Sequence, residues 1–342
     1  MPPTIAPPQR GPSQSGPSPA AAAKPLTPGA AKKRMLIIVN PYATTVSDRL
    51  KNLVVYALQA RYEVEAVDTE AAEHAIEIGR EARNGGYDIV VAFGGDGTVN
   101  EVANGLAGTD VPVSVLPGGS TNVVARTLGI PNDVVDATEH LIGLADDFNP
   151  RKIDLGRCNG RQFVFACGVG LDATVVKRVD AHPRLKARAR QWYYTWAAVT
   201  GFYRDYLRNP IRLEVELGGR RIEGVTVIAQ NSDPFTYFAN IPIRIVEGVG
   251  LDDGSLALAV LGRAAQRDMP TIAARVLSRR MHTAKHGQIE VFPEVTEATV
   301  RSISKDESGQ VRPLPVQVDG DYLGELTEMT FSVEPRALTV VA

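Results

Sequence analysis

Short apolar runs alternate with amphipathic stretches from Arg34 to about Pro150. The runs 35–39, 62–67, 89–93 and 111–116 predict strands, and helical spacing of apolar residues predicts helices at 48–59, 71–83, 98–106 and in a stretch ending at Gly129. Strands that alternate with helices in this way usually pair in parallel, and ligands bind at the carboxyl ends of such strands. This part of the chain is therefore predicted to be an α/β domain with a parallel sheet.

Beyond Pro150 the pattern changes to short β-rich runs. Gly-Gly, Asp-Asp-Gly and Asp-Gly-Asp turns separate these runs, as in antiparallel sheets. The predicted strands are 162–166, 211–217, 224–229, 254–261, 288–292 and 316–318. A last alternating run, 329–341, is open to join either half of the molecule. We therefore expect a second, all-β domain.

Composition and charge narrow the class of protein. The chain has 342 residues, of which 44% are hydrophobic and 22% charged, a balance typical of a globular protein with room for two domains. A formal net charge of −2 gives no reason to expect a nucleic acid as partner. No apolar run reaches the roughly 18 residues of a transmembrane helix. Cys158 and Cys167 are expected to be small buried residues, which fits a reducing compartment. Residues 1–33 are rich in Pro, Ser, Gly and Ala, a composition that predicts a disordered tail.

The run Gly94-Gly95-Asp96-Gly97-Thr98 lies between a predicted strand and a predicted helix. Thr98 and Glu101 have the spacing of a capping box, which places the start of the helix at Thr98. Glycines let a backbone approach a phosphate closely, and a helix N-terminus attracts anions. A carboxylate such as that of Asp96, beside phosphates, usually binds Mg²⁺ or accepts a proton. The run therefore predicts a nucleotide phosphate site with a built-in acid.

Two more turns follow strands of the same predicted sheet. Asn40-Pro41 ends the first strand, and Pro117-Gly118-Gly119-Ser120-Thr121-Asn122 follows the fourth. Each alone is compatible with a plain turn, but three such turns at one sheet edge favour a binding site. The chain has no G-x-x-x-x-G-K-[ST] pattern, which argues against a P-loop protein.

Other patterns have more than one interpretation. The segment Arg184–Tyr206 combines basic residues with Trp and Tyr, which suits either a membrane interface or a buried packing helix. His282 and His286 have the i, i+4 spacing of metal ligands, but no recognisable partner ligand accompanies them, so a solvated basic helix is expected. The acidic turns at 252–254 and 319–321 suit Mg²⁺ binding, proton transfer or ordinary hairpins.

The order of these landmarks resembles the diacylglycerol kinase catalytic-domain family. That family includes bacterial diacylglycerol and related lipid kinases and, more distantly, sphingosine and ceramide kinases. The landmarks are Asn40-Pro41, Gly94–Thr98 with Asn100-Glu101 and Asn104-Gly105-Leu106, Pro117–Asn122 with Ala125-Arg126, Leu251–Gly254 and Val318–Asp321. Gly-Gly-Asp-Gly alone is shared with NAD kinases and phosphofructokinases, so the resemblance depends on the whole series, which spans nearly all of 34–342.

The resemblance implies an ATP- and Mg²⁺-dependent kinase that phosphorylates a lipid hydroxyl, with diacylglycerol as the first choice. It implies an α/β nucleotide-binding domain at 34–150, similar to that of NAD kinases and phosphofructokinases, a β-sandwich lipid-substrate domain at 151–326 and a C-terminal strand segment at 327–342. The expected nucleotide contacts are Asn40, Gly94, Gly95, Gly97, Thr98, Glu101, Gly119, Ser120, Thr121 and Asn122. The expected catalytic residues are Asp96, Asp154 and Asp321, and the expected metal ligands are Asp96, Asp252 and Asp253.

Three departures from the family pattern keep alternatives open. Asp321 stands where the family has Glu and is one methylene shorter, Val123 replaces an Asp that often follows the Thr-x-Asn turn, and Gly250 lacks the side chain that ligates a structural Mg²⁺ in some members. The alternatives are a kinase for ceramide, a sphingoid base or another lipid alcohol, a soluble enzyme of the NAD-kinase type, and a catalytically silent lipid or nucleotide sensor. We expect a cytoplasmic protein bound peripherally to anionic lipid at the inner face of the membrane; a homodimer is left open.

Overall fold

The computed structural model describes residues 31–180, 211–238, 240–278 and 280–342. Its first half runs β1 (Lys33–Val39), α1 (Asp48–Leu58), β2 (Tyr62–Asp68), α2 (His74–Ala82), β3 (Ile89–Gly94), α3 (Asp96–Leu106), β4 (Val113–Pro117), α4 (Val123–Thr127) and α5 (Val134–Leu144). The strands pair in parallel in the order β2-β1-β3-β4. Strand β3 is buried along its whole length, as expected for a parallel strand covered by helices on both faces. The predicted α/β domain with a mostly parallel sheet is confirmed.

The second half consists mainly of antiparallel strands. It runs β5 (Arg151–Cys158), β6 (Arg161–Phe163), β7 (Ala166–Gly170), α6 (Leu171–Asp180), β8 (Leu213–Leu217), β9 (Arg220–Gly224), β10 (Thr226–Gln230), β11 (Thr236–Phe238), β12 (Ile241–Ile243), β13 (Leu256–Leu261), α7 (Met269–Leu277), a 3₁₀ turn (Thr283–Lys285), β14 (Ile289–Val295), β15 (Glu297–Ser302), β16 (Leu314–Val318), β17 (Asp321–Leu326) and β18 (Glu328–Val340). One sheet has the order β14-β13-β10-β7-β16-β17. It shares a single apolar core with β5, β8, β15 and β18, which makes a sandwich.

Strand β18 joins the two halves into one continuous sheet. Its end, Val340, pairs in parallel with Val113 of β4, while the strand also pairs antiparallel with β5 and β15. The last alternating run of the sequence therefore contacts both halves. Contacts group Lys32–Ala342 into one compact unit. The boundaries proposed at 150 and 326 stay predictions.

Several local expectations need correction. The capping box at Thr98 and Glu101 is wrong, because α3 begins at Asp96 with Gly95 as its N-cap. The basic helix expected across His282 and His286 is also wrong, since only the 3₁₀ turn lies between them. Helices α5, α6 and α7 have no counterpart among the helices predicted from the sequence.

Cys158 and Cys167 are both buried, as predicted for small apolar side chains. Within the part of the chain that the structure describes, no helix has the length and apolar character needed to cross a membrane. Residues 1–30 of the tail predicted at 1–33 and the segment Arg184–Tyr206 lie outside the described residues, whereas Lys33 begins β1.

Candidate active site

Three turns meet at the carboxyl ends of β1, β3 and β4, which are neighbours in the sheet. The Asn40 amide N–H after β1 donates to the Phe93 carbonyl, at 2.9 Å. The Gly118 N–H after β4 donates to the Gly94 carbonyl, at 2.7 Å. These two bonds hold the outer turns against the central glycine turn, so the three turns predicted to share one sheet edge do come together.

The central and outer glycine turns touch backbone to backbone. A Cβ on Gly118 would lie 2.9 Å from the Gly94 Cα, and a Cβ on Gly119 would lie 2.9 Å from the Gly95 Cα. Cβ atoms in real proteins essentially never approach backbone atoms so closely, so only glycine allows this contact. The first turn of α3 starts here, and its amide N–H groups have no partners within the helix. The result is a concave backbone surface with the positive end of a helix dipole, which suits an anion.

Two amide side chains stabilise these turns. Asn40 Nδ2 donates to Thr98 Oγ1 at 3.1 Å, which ties the first turn to α3. Asn122 has a left-handed backbone (φ 48°), and its Oδ1 accepts the Gly119 N–H at 2.9 Å. The exposed Ser120 and half-buried Thr121 hydroxyls make no side-chain hydrogen bond to any described residue. Of the predicted nucleotide contacts in this turn, Ser120 and Thr121 are therefore the side chains that remain available to a ligand.

Asp96 lies in the central glycine turn, faces the start of α4 and keeps partial access to solvent. Its Oδ1 accepts the Val124 N–H at 3.1 Å, so the carboxylate stabilises the start of α4. Burial, together with the negative charges of Asp319 and Asp321, raises the pKa of Asp96 to about 7, although the Val123 and Val124 N–H groups oppose the shift. A cation beside this carboxylate would relieve the cost of its charge.

Asp321 approaches the same turn from the second half of the molecule. Its side chain is exposed, and a Cβ on Gly97 would overlap its carboxylate. The absence of a side chain at position 97 therefore allows Asp321 to lie against the first turn of α3. The structure brings together Asp96 and Asp321, two of the three predicted catalytic residues.

Asp319 is a buried anchor for the turn that carries Asp321. Its Oδ2 accepts the Val164 N–H at 2.7 Å, and its Oδ1 accepts the N–H groups of Phe165 and Ala166 at 2.9 and 3.0 Å. Asn100 Nδ2 of α3 donates to Oδ2 at 2.8 Å. Burial raises the pKa of Asp319, whereas these four donors oppose that shift. One carboxylate thus connects α3, the strands β6 and β7 and the β16–β17 turn.

Asn100 and Asn104 form a second part of this joint, which sequence reasoning did not assign. Nδ2 of each residue donates to the Gln162 carbonyl, at 2.9 and 3.1 Å, and Asn104 Oδ1 accepts the Gln162 N–H at 3.0 Å. The signal was present in the sequence, because asparagines four positions apart share one face of a helix. In the sequence, Asn100 and Asn104 were interpreted only as part of the family pattern.

The structure gives Glu101 a different position from the one expected. Its carboxylate accepts the N–H groups of Glu73 and Ala75 at 3.0 and 3.2 Å, at the start of α2. The side chain therefore caps α2, which satisfies N–H groups that a helix leaves open, and it is not brought to the glycine turns. A nucleotide contact by this side chain is not supported.

Asp154 also lies apart from the glycine turns. It is 1% exposed, and its two oxygens accept the Gly254 and Arg336 N–H groups at 2.6 and 2.7 Å. Asp154 thus fixes the acidic turn of Asp252 and Asp253, and in the described part of the chain none of these three side chains shares a hydrogen bond with Asp96. The structure therefore does not bring Asp154 together with the other two predicted catalytic residues. It also does not bring Asp252 and Asp253 together with Asp96 as a metal site. No group of three or more His, Cys, Asp or Glu side chains among the described residues could hold a metal ion.

Comparison with known proteins agrees with this architecture. A family model of the diacylglycerol kinase catalytic domain matches residues 34–158, and a model of the YegS C-terminal NAD kinase beta sandwich-like domain matches residues 166–342. Diacylglycerol kinases from two strains of Staphylococcus aureus are 27% identical over 314 residues, which cover 89% of this chain and 90% of each relative. A crystal structure of a diacylglycerol kinase from Bacillus anthracis has the same fold, with a TM-score of 0.64 at 18% identity over 90% of this chain and 96% of that one.

The two family models together take in nearly all of the chain from Arg34 to its end. Their junction falls between β5 and β7, where the Asp319 anchor joins the α/β half to the sandwich. These matches and the diacylglycerol kinase relatives lead to one conclusion: the chain belongs to the diacylglycerol kinase catalytic-domain family and is a kinase.

Proposed function

We propose that this kinase transfers the γ-phosphoryl group of ATP, with Mg²⁺, to the free hydroxyl of diacylglycerol and forms phosphatidic acid. The observation that carries the proposal is the meeting of two carboxylates at one glycine turn. Asp96 lies inside the turn, and Asp321 reaches it from the sandwich. The names of the relatives support a lipid as the acceptor.

The backbone of the glycine turns is proposed to bind the phosphate chain of ATP. Unpaired N–H groups at the start of α3 would donate to phosphate oxygens, and the close contact of Gly95 with Gly119 leaves no side chain in the way. The hydroxyls of Ser120 and Thr121 can add hydrogen bonds. In phosphoryl transfer most of the catalysis comes from positioning and charge stabilisation, so such a cradle supplies much of what the reaction needs.

The donor set at the turn fits Mg²⁺. Mg²⁺ commonly takes one or two carboxylates and completes its shell with substrate phosphates and water, so a protein cluster of three ligands is not required. Asp96 would be the main ligand, because its charge is costly without a nearby cation. When bound, Mg²⁺ supplies neutralisation of the charge that develops on the transferred phosphoryl group. Asp252 and Asp253 would not contribute, since they belong to the turn fixed by Asp154.

Asp321 is proposed to orient and deprotonate the acceptor. Its exposed carboxylate stands where a hydroxyl can approach from outside the molecule. As the acceptor oxygen bonds to phosphorus, the bond from phosphorus to the β-phosphate oxygen breaks and the hydroxyl proton passes to Asp321. The side chain is shorter than the family Glu, yet it already contacts Gly97, which favours a catalyst over a silent sensor.

An acceptor screen tests the proposal. The purified full chain is incubated with γ-labelled ATP, Mg²⁺ and a total lipid extract, and separately with diacylglycerol, ceramide, a sphingoid base and NAD. We expect labelled phosphatidic acid and at least a hundredfold loss of label with Asp321→Asn. Asp136→Asn is the matched control, because Asp136 is an exposed carboxylate on α5. Label in NAD or ceramide but not in diacylglycerol would contradict the proposed acceptor, and ATP binding without any transfer would favour the sensor.

A further inference from the structure

Helix α7 turns an uncharged face towards solvent. Its exposed residues are Pro270, Thr271, Ala273, Ala274 and Leu277, whereas Ile272 is buried in the core beneath it. Leu277 is 50% exposed. The outward face of a surface helix normally carries charged or polar side chains, and the single charged residue of Met269–Leu277 is Arg275. Thr271 is the one polar side chain among these exposed residues, so this face has few of the groups that normally keep a helix in contact with water.

Cations flank α7 on both sides along the chain, and two of them, Arg263 and Arg267, pair with Asp268. Arg263, Arg267, Arg280 and Lys285 are exposed on either side of α7. The sequence from 263 to 286 contains six Lys or Arg residues and one acid, Asp268.

The segment after α7 extends the apolar face. Met281 is 44% exposed. The segment is held in place, because Arg275 Nη1 donates to the His282 carbonyl at 3.0 Å and the His282 ring contacts Glu247 at 2.8 Å. The structure therefore presents two large apolar side chains, Leu277 and Met281, within a basic rim.

We propose that this region is the surface by which the protein docks on an anionic lipid membrane. The docking surface is defined as the exposed face of α7 with Arg280, Met281 and Lys285. Apolar side chains with flanking cations are the pattern of helices that lie in the membrane interface, where the apolar groups enter the acyl boundary and the cations meet lipid phosphates. The inference rests on the proposed function in one respect, since a lipid substrate gives the protein a reason to meet a membrane.

Charge argues against the other occupants. A second copy would bring the same basic rim against its own image, and like charges repel across an interface. The chain segment 181–210 carries six Lys or Arg residues and one Asp, so it too would meet like charge. A nucleic acid would match the cations but would leave Leu277 and Met281 without a partner. An anionic lipid surface matches both features.

Packing connects the docking surface to the candidate active site. Helix α7 packs beside β12, which pairs with β11. Tyr237 of β11 lies against Arg126 of α4, with the guanidinium carbon 4.5 Å from the ring centroid. Helix α4 begins at the N–H groups that Asp96 accepts. Helix α7, strands β12 and β11 and helix α4 thus form a continuous series of contacts from the proposed docking surface to the proposed phosphoryl-transfer site.

Vesicle co-sedimentation of the full chain tests the docking surface. Vesicles of phosphatidylglycerol are compared with vesicles of phosphatidylcholine. Leu277→Gln/Met281→Gln should weaken binding to phosphatidylglycerol at least about tenfold, because two apolar groups leave the interface. The matched control is Leu53→Gln/Tyr56→Gln, since these side chains on α1 are 57% and 79% exposed. This control should bind like the wild type.

A charge variant and a soluble substrate keep the test independent of folding and of the proposed activity. Arg280→Gln/Lys285→Gln should lower binding to phosphatidylglycerol about 25-fold, at roughly fivefold for each cation near the surface. The apolar variant should still phosphorylate a short-chain diacylglycerol dispersed as monomers. Wild-type protein that ignores phosphatidylglycerol, α7 variants that bind like the wild type, or equal loss in the α1 control would each overturn the docking surface. A wild type that binds vesicles through α7 but phosphorylates no lipid would overturn the proposed function alone.

Discussion

Replacement of Asp96 by Asn is expected to stabilise the ligand-free protein at alkaline pH while it ends catalysis. Burial raises the pKa of the Asp96 carboxyl from 3.8 to about 7. The folded state therefore holds this proton more tightly than the unfolded chain does. The contribution of Asp96 to the free energy of unfolding is fully present below about pH 4 and is lost as the pH rises through about 7.

The size of the effect follows from the same shift. A rise from 3.8 to about 7, at about 1.36 kcal/mol for each pH unit, corresponds to about 4 kcal/mol. Partial access of the carboxyl to solvent screens some of this cost, so we expect a gain of about 2–4 kcal/mol for Asp96→Asn at pH 8. The amide oxygen of Asn can still accept the Val124 N–H, so α4 keeps its N-terminal hydrogen bond.

Urea unfolding at pH 4 and pH 8, without nucleotide or Mg²⁺, measures this difference. The two proteins should be nearly equal at pH 4, where Asp96 is protonated, and should differ at pH 8. Asp136→Asn, an exposed carboxylate on α5, should show no such dependence. Equal stability of Asp96→Asn and wild type at both pH values would refute the reasoning that burial of the charged Asp96 carboxylate destabilises the fold.

Four further substitutions test the joint, the glycine turn and the helix contacts. Asp319→Asn should destabilise the fold by about 2–6 kcal/mol, because each carboxylate oxygen accepts two of the four buried donors and the pair on the oxygen replaced by NH₂ loses its acceptor, at about 1–3 kcal/mol for each donor. Gly97→Ala should cut turnover at least tenfold with little loss of stability, since the new Cβ displaces the Asp321 carboxylate. Gly105→Ala should destabilise by about 1–3 kcal/mol, because its Cβ would lie 2.8 Å from a backbone oxygen of α2, whereas Gly143→Ala in open space on α5 should stabilise by about 0.5–1 kcal/mol.

Urea unfolding and enzyme turnover measure the effects of these four substitutions. Urea unfolding reports the effects at positions 105, 143 and 319, and equal stability of Gly105→Ala and Gly143→Ala would contradict the close approach of α2 and α3. For Gly97→Ala, the double variant with Asp321→Asn should lose little more activity than Asp321→Asn alone. Fully additive losses would mean that the two residues act separately. Asp319→Asn with unchanged stability would remove its role as an anchor.

Sequence patterns predicted the α/β half well, because they depend on local spacing. Strands β1, β3 and β4 follow from apolar runs, and the three turns after them contain Asn, Gly or Pro, whereas β2 follows from an alternating run. The start of α3 could not be placed in the same way. Thr98 and Glu101 have the spacing of a local cap, yet Glu101 instead accepts N–H groups of α2, a contact between segments that spacing cannot show.

The joint between the two halves was the part that the sequence did not reveal. Asp319 and Asp321 belong to one Asp-Gly-Asp turn, but one is a buried acceptor of four hydrogen bonds and the other is exposed at the glycine turn. Asp154 likewise looks like a candidate acid in the sequence and proves to be an internal anchor. Such roles depend on residues a hundred or more positions away, so only the assembled fold separates them.

Transfer of labelled phosphate from ATP to diacylglycerol by the purified full chain is the most direct test of the central claim. We predict labelled phosphatidic acid with wild type and with Asp136→Asn, and at least a hundredfold less with Asp96→Asn, whose fold is verified by its unfolding curve. No labelled lipid with wild type, or wild-type transfer by a folded Asp96→Asn protein, would contradict the claim that the glycine turn around Asp96 carries out phosphoryl transfer to a lipid.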